Sequence, residues 1–251
     1  MRDRNSLKIL LIEARLDQAM IDHEIACLLR AGKLNEDQLV PYSVLDGNIG
    51  PEHAKGYDAV ILGGTGDYSV VNDRPVFYEP LLEFTRYLIA YNIPLLGLCY
   101  GHQLIAQAAG GQVITDHERE ETGTYEMYLT EEGRKDIIMR SLPDHFPAQQ
   151  GHHDGVVSMP DDYIRLAYSE RCVWQALRHK SAPVYGTQFH PELLRSDLVK
   201  RMMTYADIYA SEPGRLEAVL DAIKETDNQT VIEYFIDDII LPSAQQKDQA
   251  Q

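Results

Sequence analysis

The chain has 251 residues, of which 44% are hydrophobic and 25% are charged, and it carries a formal net charge of −16. These fractions are those of an ordinary globular protein that is long enough to bury a substantial core. The negative charge argues against a nucleic-acid-binding surface, because phosphate backbones attract Lys and Arg.

The chain shows no targeting or membrane signal. No apolar run approaches the roughly 20 residues that a membrane-spanning helix needs, and the N-terminus lacks the pattern of a signal peptide. The three cysteines, Cys27, Cys99 and Cys172, have no paired spacing, which favours a reduced, cytoplasmic protein. We interpret Cys27 and Cys172 as core residues.

The first 110 residues alternate between two patterns. Short apolar runs predict strands over 7–14, 38–47, 57–64 and 93–98. Apolar residues at helical spacing predict helices over 16–32, 76–92 and 102–110. Strands that alternate with helices indicate an α/β fold, an open and mostly parallel sheet with helices on both faces.

Further along, the middle of the chain reads as extra strands separated by turns, and helical spacing returns after about residue 195. We expect a main domain over 1–209, a helical C-terminal extension over 210–241 and a disordered tail over 242–251. Two apolar stripes in the extension either pack on the domain or, if exposed, form a homodimer surface: Leu216, Val219, Leu220 and Ile223, then Ile232, Phe235, Ile236 and Ile239.

The stretch "PLLGLCYGHQ" ends a predicted strand in Gly-X-Cys-X-Gly and turns at once into a predicted helix. This is the plan of a nucleophile elbow, in which Gly97 and Gly101 permit the sharp turn that exposes Cys99. The helix N-terminus would favour the thiolate form of Cys99. The alternative is a buried cysteine at an ordinary turn.

A proton shuttle for that thiol is available in "YGTQFHPELL". In an extended chain, residues i and i+2 face the same side, so His190 and Glu192 could both face one pocket. The carboxylate would then hold the imidazole, and the imidazole would serve the thiol, as in a catalytic triad. The alternative is a surface turn without a role.

Glycines follow the third predicted strand in "AVILGGTGDYSV", at the edge where α/β folds bind ligands. A phosphate-binding loop and an oxyanion hole are both compatible with free backbone N–H groups there. Asp67 and the lack of a lysine favour the oxyanion hole.

Metal ligation is the other possibility for these residues. A site could be built from Cys99, His190 and Glu192, or from "HHD" at 152–154, but neither shows the paired ligand spacing of a zinc site. We therefore expect no metal. The charged cluster "DHEREE" over 116–121 is interpreted as a solvated loop.

Taken together and in this order, "ILGGTGDYSV", "GLCYGHQ" and "FHPE" resemble the class I, triad-type glutamine amidotransferases. The elbow matches the family pattern Gly-aliphatic-Cys-X-Gly-X-Gln at every defined position, and the resemblance runs from about residue 7 to about residue 209. It implies a flavodoxin-like sheet.

Within that family, the middle of the chain is most similar to the amidotransferase part of GMP synthetase. "REETGTYEMYL" resembles its Arg-Glu-X-Gly segment, and "QGHHDGVVSMP" resembles its Ser-His-Gly-Asp-X-Val … Pro stretch, with His152 and Asp154 on the His and the Asp. Thr65 stands where that branch has proline. No Ser-Gly-Gly-Val-Asp-Ser loop is present, so we do not expect this chain to make a nucleotide itself.

The resemblance implies a mechanism. Cys99 would attack the side-chain amide of glutamine, His190 would carry the thiol proton to the departing ammonia, and Glu192 would orient His190. The backbone N–H groups of Gly64 and Tyr100 would bind the oxyanion.

The resemblance also implies a substrate pocket. Gln103 matches the family glutamine near the amino-acid end of the substrate, and Gly63 is assigned to the same pocket. The segment of His152, His153 and Asp154 would help to close it.

We therefore expect an enzyme that takes glutamine, needs no cofactor and passes ammonia to a synthase subunit or another acceptor. Two alternatives stay open. The same residues could hydrolyse or transfer γ-glutamyl groups from peptides or amines, or the domain could be an inactive binding module.

Overall fold

The computed structural model describes residues 2–209 and 214–249, and within them the chain forms eleven strands. In chain order these are β1 (Ile9–Glu13), β2 (Leu39–Ser43), β3 (Ala59–Leu62), β4 (Leu95–Leu98), β5 (Gln112–Thr115), β6 (Glu121–Leu129), β7 (His145–His152), β8 (Asp154–Ser158), β9 (Tyr163–Tyr168), β10 (Ala176–His179) and β11 (Val184–Thr187).

Nine of these strands form one sheet in the order β2-β1-β3-β4-β11-β10-β9-β6-β7. The first five run parallel to one another, in the 2-1-3-4-5 arrangement of flavodoxin-like folds. The remaining four continue the sheet with antiparallel pairings, and β5 and β8 form a separate two-stranded sheet. The predicted fold class, with extra antiparallel strands from the middle of the chain, is confirmed.

Helices cover both faces of this sheet. They are α1 (Gln18–Gly32), α2 (Tyr78–Ala90), α3 (Tyr100–Ala108), α4 (Glu131–Lys135), α5 (Arg195–Thr204), α6 (Ala206–Tyr209), α7 (Arg215–Ala222), α8 (Thr230–Tyr234) and α9 (Leu241–Gln249), with a π-helical turn over Phe235–Ile240 between the last two. None of the described helices is long and apolar enough to cross a membrane.

Alternation along β1 separates two hydrophobic cores. Ile9 and Leu11 belong to the core that contains Leu28 of α1 and the C-terminal helix residues. Leu10 and Ile12 belong to the opposite core, built from α2 and α3. Because both faces of β1 are buried, the strand reads as a continuous apolar run in the sequence.

Strand β7 is the element that the sequence pattern missed. Its segment "HFPAQQGH" is polar, yet Gln149 and Gln150 are fully buried. Both side-chain amides donate hydrogen bonds: Gln150 Nε2 donates to Gln175 Oε1 at 2.7 Å, and Gln149 Nε2 donates to the Lys224 carbonyl at 2.9 Å. Because these buried side chains are polar, the strand cannot be recognised from a pattern of hydrophobic residues.

The C-terminal region differs from the prediction at its end. Residues 242–249, predicted as a disordered tail, continue the helix as part of α9, because Ala244 is buried in the core and Asp248 pairs with Arg2 at 3.1 Å. Residues 250 and 251 lie outside the described residues.

The second apolar stripe packs on the domain, where Ile232, Phe235 and Ile236 are fully buried. Ile239 of the same stripe is only partly buried, and the homodimer stays a prediction.

Candidate active site

Cys99 sits at the turn between β4 and α3, in a backbone conformation with φ 50° and ψ −99°. A non-glycine residue with positive φ is strained and is held by its surroundings. Glycine is required on either side of Cys99, because neighbouring backbone atoms come too close to leave room for a side chain. A Cβ on Gly101 would lie 2.2 Å from the Leu62 carbonyl oxygen, and one on Gly97 would lie 2.5 Å from the Gly101 backbone. The predicted turn is therefore present as a strand-to-helix elbow.

His190 and Glu192 follow β11, the strand next to β4 in the parallel half of the sheet. His190 Nδ1 lies 2.8 Å from Glu192 Oε1, and both side chains are buried. Burial opposes ionisation of Glu192, but the adjacent His190 and Arg201 hold the pKa of this carboxyl at about 2. The pair is thus an imidazole held by a buried carboxylate.

Gly64 lies between the elbow and this pair. A Cβ placed on Gly64 would be 3.2 Å from His190 Cε1 and 3.7 Å from Cys99 Cβ. The three strands β3, β4 and β11 therefore bring the loop "GGTG", Cys99 and His190 together at one edge of the sheet, as their positions after parallel strands predicted.

Burial has the largest effect on the pKa of the Cys99 thiol. It raises the pKa of the thiol to about 12, although the nearby Arg15 and Arg201 guanidinium groups act in the opposite direction. The predicted thiolate stabilisation by the α3 N-terminus is outweighed, because desolvation penalises the charged form of the sulfur.

The Gly64 N–H, predicted to bind an oxyanion, is instead donated to Glu24 Oε1 at 3.0 Å. Glu24 is fully buried on α1, and its other oxygen accepts from Arg15 Nε at 2.5 Å. Burial alone would raise the pKa of Glu24, but Arg15 and Arg201 lower it, so that a carboxylate faces the Gly64 amide. A carboxylate is a strong acceptor, and it competes directly with the predicted oxyanion.

A second buried arginine contacts the His190–Glu192 pair. Arg201 Nη1 lies 3.2 Å from His190 Nδ1 and 3.3 Å from Glu192 Oε1. Nδ1 is closer to the carboxylate, which favours an Nδ1–H that donates to Glu192 and leaves Nε2 free to accept a proton. Nearby Glu13 is buried at the end of β1, and burial together with the Glu24 charge raises its pKa.

A cavity of about 240 Å³ opens beside Cys99. Four of the five residues predicted to bind substrate line this cavity: Gln103, His152, His153 and Asp154. Gly63 does not line it. Asp67 and Asp73 line it as well.

Hydrogen bonds fix these four side chains in the walls of the cavity, and the Asp154 carboxylate accepts its bonds from the Ser69 and Thr115 hydroxyls. Gln103 Nε2 donates to the Asp154 carbonyl at 2.8 Å. His152 Nε2 lies 3.0 Å from Glu121 Oε2, and its Nδ1 lies 2.9 Å from the Asp154 carbonyl oxygen. His153 Nδ1 lies 2.7 Å from Glu120.

Four residues of the site were not predicted: Gln188, Arg15, Glu24 and Arg201. Gln188 Nε2 lies 3.5 Å from Cys99 Sγ, and its Oε1 accepts from Gln103 at 3.0 Å. It precedes His190 by two residues, so the same i, i+2 reasoning could have found it. Arg15 follows β1 at the ligand-binding edge. Glu24 and Arg201 are on helices that carry no such signal.

An elbow cysteine beside a buried His–Glu pair, on a sheet of this order, defines a class of α/β enzymes with a cysteine nucleophile. The chain belongs to the class I glutamine amidotransferases: the family model described as "Glutamine amidotransferase class-I" matches residues 28–204. It is therefore an enzyme of the glutamine amidotransferase type, as the sequence predicted.

Relatives within the family are close to the predicted branch. One subunit of the glutamine-hydrolysing GMP synthase of Methanopyrus kandleri is 36% identical over 61% of this chain and 77% of its own length. The corresponding subunit of Picrophilus torridus is 37% identical over 54% of this chain and 68% of its own length.

Solved structures agree in fold. A glutamine amidotransferase from Thermotoga maritima superposes with a TM-score of 0.75 at 18% identity, covering 93% of this chain and 98% of that one. One from Methylobacillus flagellatus gives a TM-score of 0.68 at 17% identity, covering 93% and 96%.

Proposed function

We propose that this chain hydrolyses the side-chain amide of glutamine to glutamate and ammonia through Cys99, His190 and Glu192. The observation that carries the proposal is the buried His190–Glu192 pair, 2.8 Å apart, beside the strained elbow of Cys99. A nucleophile, a base and a group that orients the base are the parts of a covalent hydrolysis mechanism.

In the first half of the reaction, Cys99 Sγ attacks the γ-carbonyl carbon while His190 Nε2 takes the thiol proton. Glu192 holds the other ring nitrogen and stabilises the imidazolium. His190 then delivers the proton to the amide nitrogen, the C–N bond breaks, and ammonia leaves a γ-glutamyl thioester on Cys99. In the second half, His190 takes a proton from water, which attacks the thioester, and the proton returns to the sulfur as glutamate leaves.

The tetrahedral intermediates need hydrogen-bond donors for their oxygen. Tyr100 is the first residue of α3, so its N–H has no partner within the helix and points out of the N-terminus. The Gly64 N–H is the second donor in this proposal. It serves the oxyanion only after it leaves Glu24, so the contact between Glu24 and Gly64 belongs to a resting state.

The ammonia would pass to a synthase. The relatives at 36% and 37% identity are each named as one subunit of a glutamine-hydrolysing synthase, which supports a separate partner protein as the acceptor. The predicted cytoplasmic location fits such a partner and stays a prediction.

A second candidate is the hydrolysis or transfer of γ-glutamyl groups from amines or peptides by the same residues. The cavity favours it in one respect. Asp67, Asp73 and Asp154 line it, and the described lining residues include no Lys or Arg. Such walls suit a cationic substrate.

A substrate panel separates the two functions. Purified protein is given glutamine, a neutral γ-glutamyl peptide and a γ-glutamyl diamine, and glutamate release is followed for each. The proposal predicts the highest kcat/KM for glutamine, with one ammonia per glutamate. Faster release from the diamine would favour the second candidate, and no release from any of them would favour an inactive binding domain.

A further inference from the structure

A second group of chemically reactive side chains lies between α1 and α5, distinct from Cys99 and its cavity. We propose that His23, Cys27 and Asp197 form a zinc-binding site that joins these two helices. The proposal does not depend on the reaction that the enzyme catalyses.

The three donor atoms converge. His23 and Cys27 are one turn apart on α1, so their side chains project from the same face of the helix. His23 Nε2 lies 3.3 Å from Asp197 Oδ1 and 3.7 Å from Cys27 Sγ, and all three atoms lie within 4.8 Å of one another. The side chains are buried, with exposed fractions of 8%, 1% and 8%.

These separations are those of ligands around zinc. Zn–S bonds of about 2.3 Å, Zn–N bonds of about 2.0 Å and Zn–O bonds of about 2.0 Å at tetrahedral angles place sulfur about 3.5 Å from nitrogen and nitrogen about 3.3 Å from oxygen. The observed distances of 3.7 Å and 3.3 Å match these two of the three edges between the donor atoms.

His23 Nε2 faces both Asp197 and Cys27, and Arg30 also contacts both of those side chains. One imidazole nitrogen either carries a proton, and donates it, or has a lone pair, and accepts. Nε2 of His23 therefore cannot serve the Asp197 carboxylate and the Cys27 thiol well at the same time. A metal ion between them would satisfy all three atoms.

The carboxylate is also oriented as a metal ligand would be. Asp197 Oδ2 accepts from Arg30 Nη2 at 2.5 Å and from the Leu194 N–H at 2.8 Å, which leaves Oδ1 to face His23. Such outer partners fix ligating carboxylates in metal sites.

The chemical types of the three donor atoms favour one kind of metal ion. A nitrogen, a thiolate sulfur and a carboxylate oxygen suit zinc, whereas magnesium and calcium prefer oxygen alone. On binding, Cys27 releases its proton to solvent, and the thiolate and the carboxylate, which Arg30 also contacts, bring two negative charges to the ion. A fourth ligand from solution would complete the tetrahedron.

Zinc here would stabilise the region that carries the catalytic pair. Asp197 is in the first turn of α5, five residues after Glu192, and Arg30 donates to the Glu192 carbonyl at 3.0 Å as well as to Asp197. The ion would thus hold α1 against the segment that positions Glu192.

Metal binding is measured on the full chain after dialysis against a chelator. Zinc is titrated in competition with a chromophoric chelator, and cobalt is added to a parallel sample. We expect one zinc per chain, and a thiolate-to-cobalt charge-transfer band in the near ultraviolet. Cys27→Ser should abolish the band, and Asp197→Asn, which changes a ligand itself, should weaken zinc binding by at least the roughly 10- to 100-fold that loss of an outer partner costs.

Three matched variants serve as controls. Cys99→Ala and Cys172→Ser remove the other cysteines, and His117→Ala disrupts a partly exposed group of His117, Glu120 and His153 that could also attract a metal. All three should keep the zinc and the band. Loss of either in Cys99→Ala or Cys172→Ser, substoichiometric zinc in the wild type, or a wild-type cobalt complex without the thiolate band would overturn the proposal, whatever the folding of the other variants.

Discussion

The Glu24 carboxylate binds the backbone N–H of Gly64 at 3.0 Å and the Arg15 guanidinium at 2.5 Å, with all three groups buried beside Cys99. One acidic side chain thus balances a buried cation and occupies a backbone donor that the proposed reaction needs. These two roles lead to separate predictions, one for the free energy of unfolding and one for the kcat of glutamine hydrolysis.

Removing one charge of this pair should be costly. Glu24→Leu or Arg15→Met alone leaves the other charge buried without its partner, which destabilises a protein by about 3–5 kcal/mol. The double variant should lose much less than the sum of the two. Urea denaturation of the four proteins in a double-mutant cycle measures the difference, and additive losses would mean that the two residues are not coupled.

The same double variant, Arg15→Met with Glu24→Leu, releases the Gly64 N–H. If this amide binds the oxyanion once it is free, glutamine hydrolysis by the isolated chain should rise, by as much as about 100-fold, because one oxyanion donor contributes about that much to kcat. The readout is kcat for glutamate release, with KM as the control for substrate binding. Unchanged or lower kcat in a folded double variant would show that Glu24 does not withhold the donor.

Acid should weaken the fold through Glu192. Its pKa is about 2 in the folded protein against an ordinary 4.5, so its contribution to stability is present above pH 4.5 and is lost as the pH falls towards 2. Over that range, the stability advantage of the wild type over Glu192→Gln should shrink by about 3 kcal/mol. The exposed Glu83→Gln serves as the control and should run parallel to the wild type. The measurement is the urea-derived free energy of unfolding at each pH.

The raised pKa of Cys99 predicts slow alkylation at neutral pH. With a thiol pKa of about 12, the rate of Cys99 modification by iodoacetamide should rise about tenfold per pH unit from pH 7 to pH 9.5, because only the thiolate reacts. Peptide mass spectrometry follows Cys99 separately from the other two cysteines. A rate that levels off below pH 8 would indicate a thiolate already formed in the resting enzyme.

The sequence revealed the fold and the centre of the site because both depend on local rules. Apolar runs marked the parallel strands, and functional residues that follow parallel strands meet at one edge of the sheet. Cys99 and His190 follow adjacent strands, and the spacing of His190 and Glu192 predicted their contact. These relations need only the order of the elements.

The residues that the sequence did not reveal act through long-range contacts. Glu24 contacts Gly64, which lies 40 positions further along the chain, and Arg201 contacts Glu192 from α5. Such contacts leave no periodic pattern in the sequence. Burial raises the pKa of the Cys99 thiol, an effect that was not predicted, because the helix dipole can be read from sequence whereas the depth of burial cannot. Strand β7 was missed because its buried glutamines find their hydrogen-bond partners only in the folded protein.

Covalent labelling of Cys99 by a glutamine-analogue diazo ketone tests the central claim most directly. The reagent binds as glutamine does and traps the attacking nucleophile, so intact mass and peptide mapping report the residue that reacts. The wild type should gain one label per chain on Cys99, with matching loss of glutamate release, and Cys172→Ser should behave in the same way. Cys99→Ala should be folded, unlabelled and slower in glutamine hydrolysis by several orders of magnitude. Label on another residue, or substantial glutamine turnover by Cys99→Ala, would contradict the account.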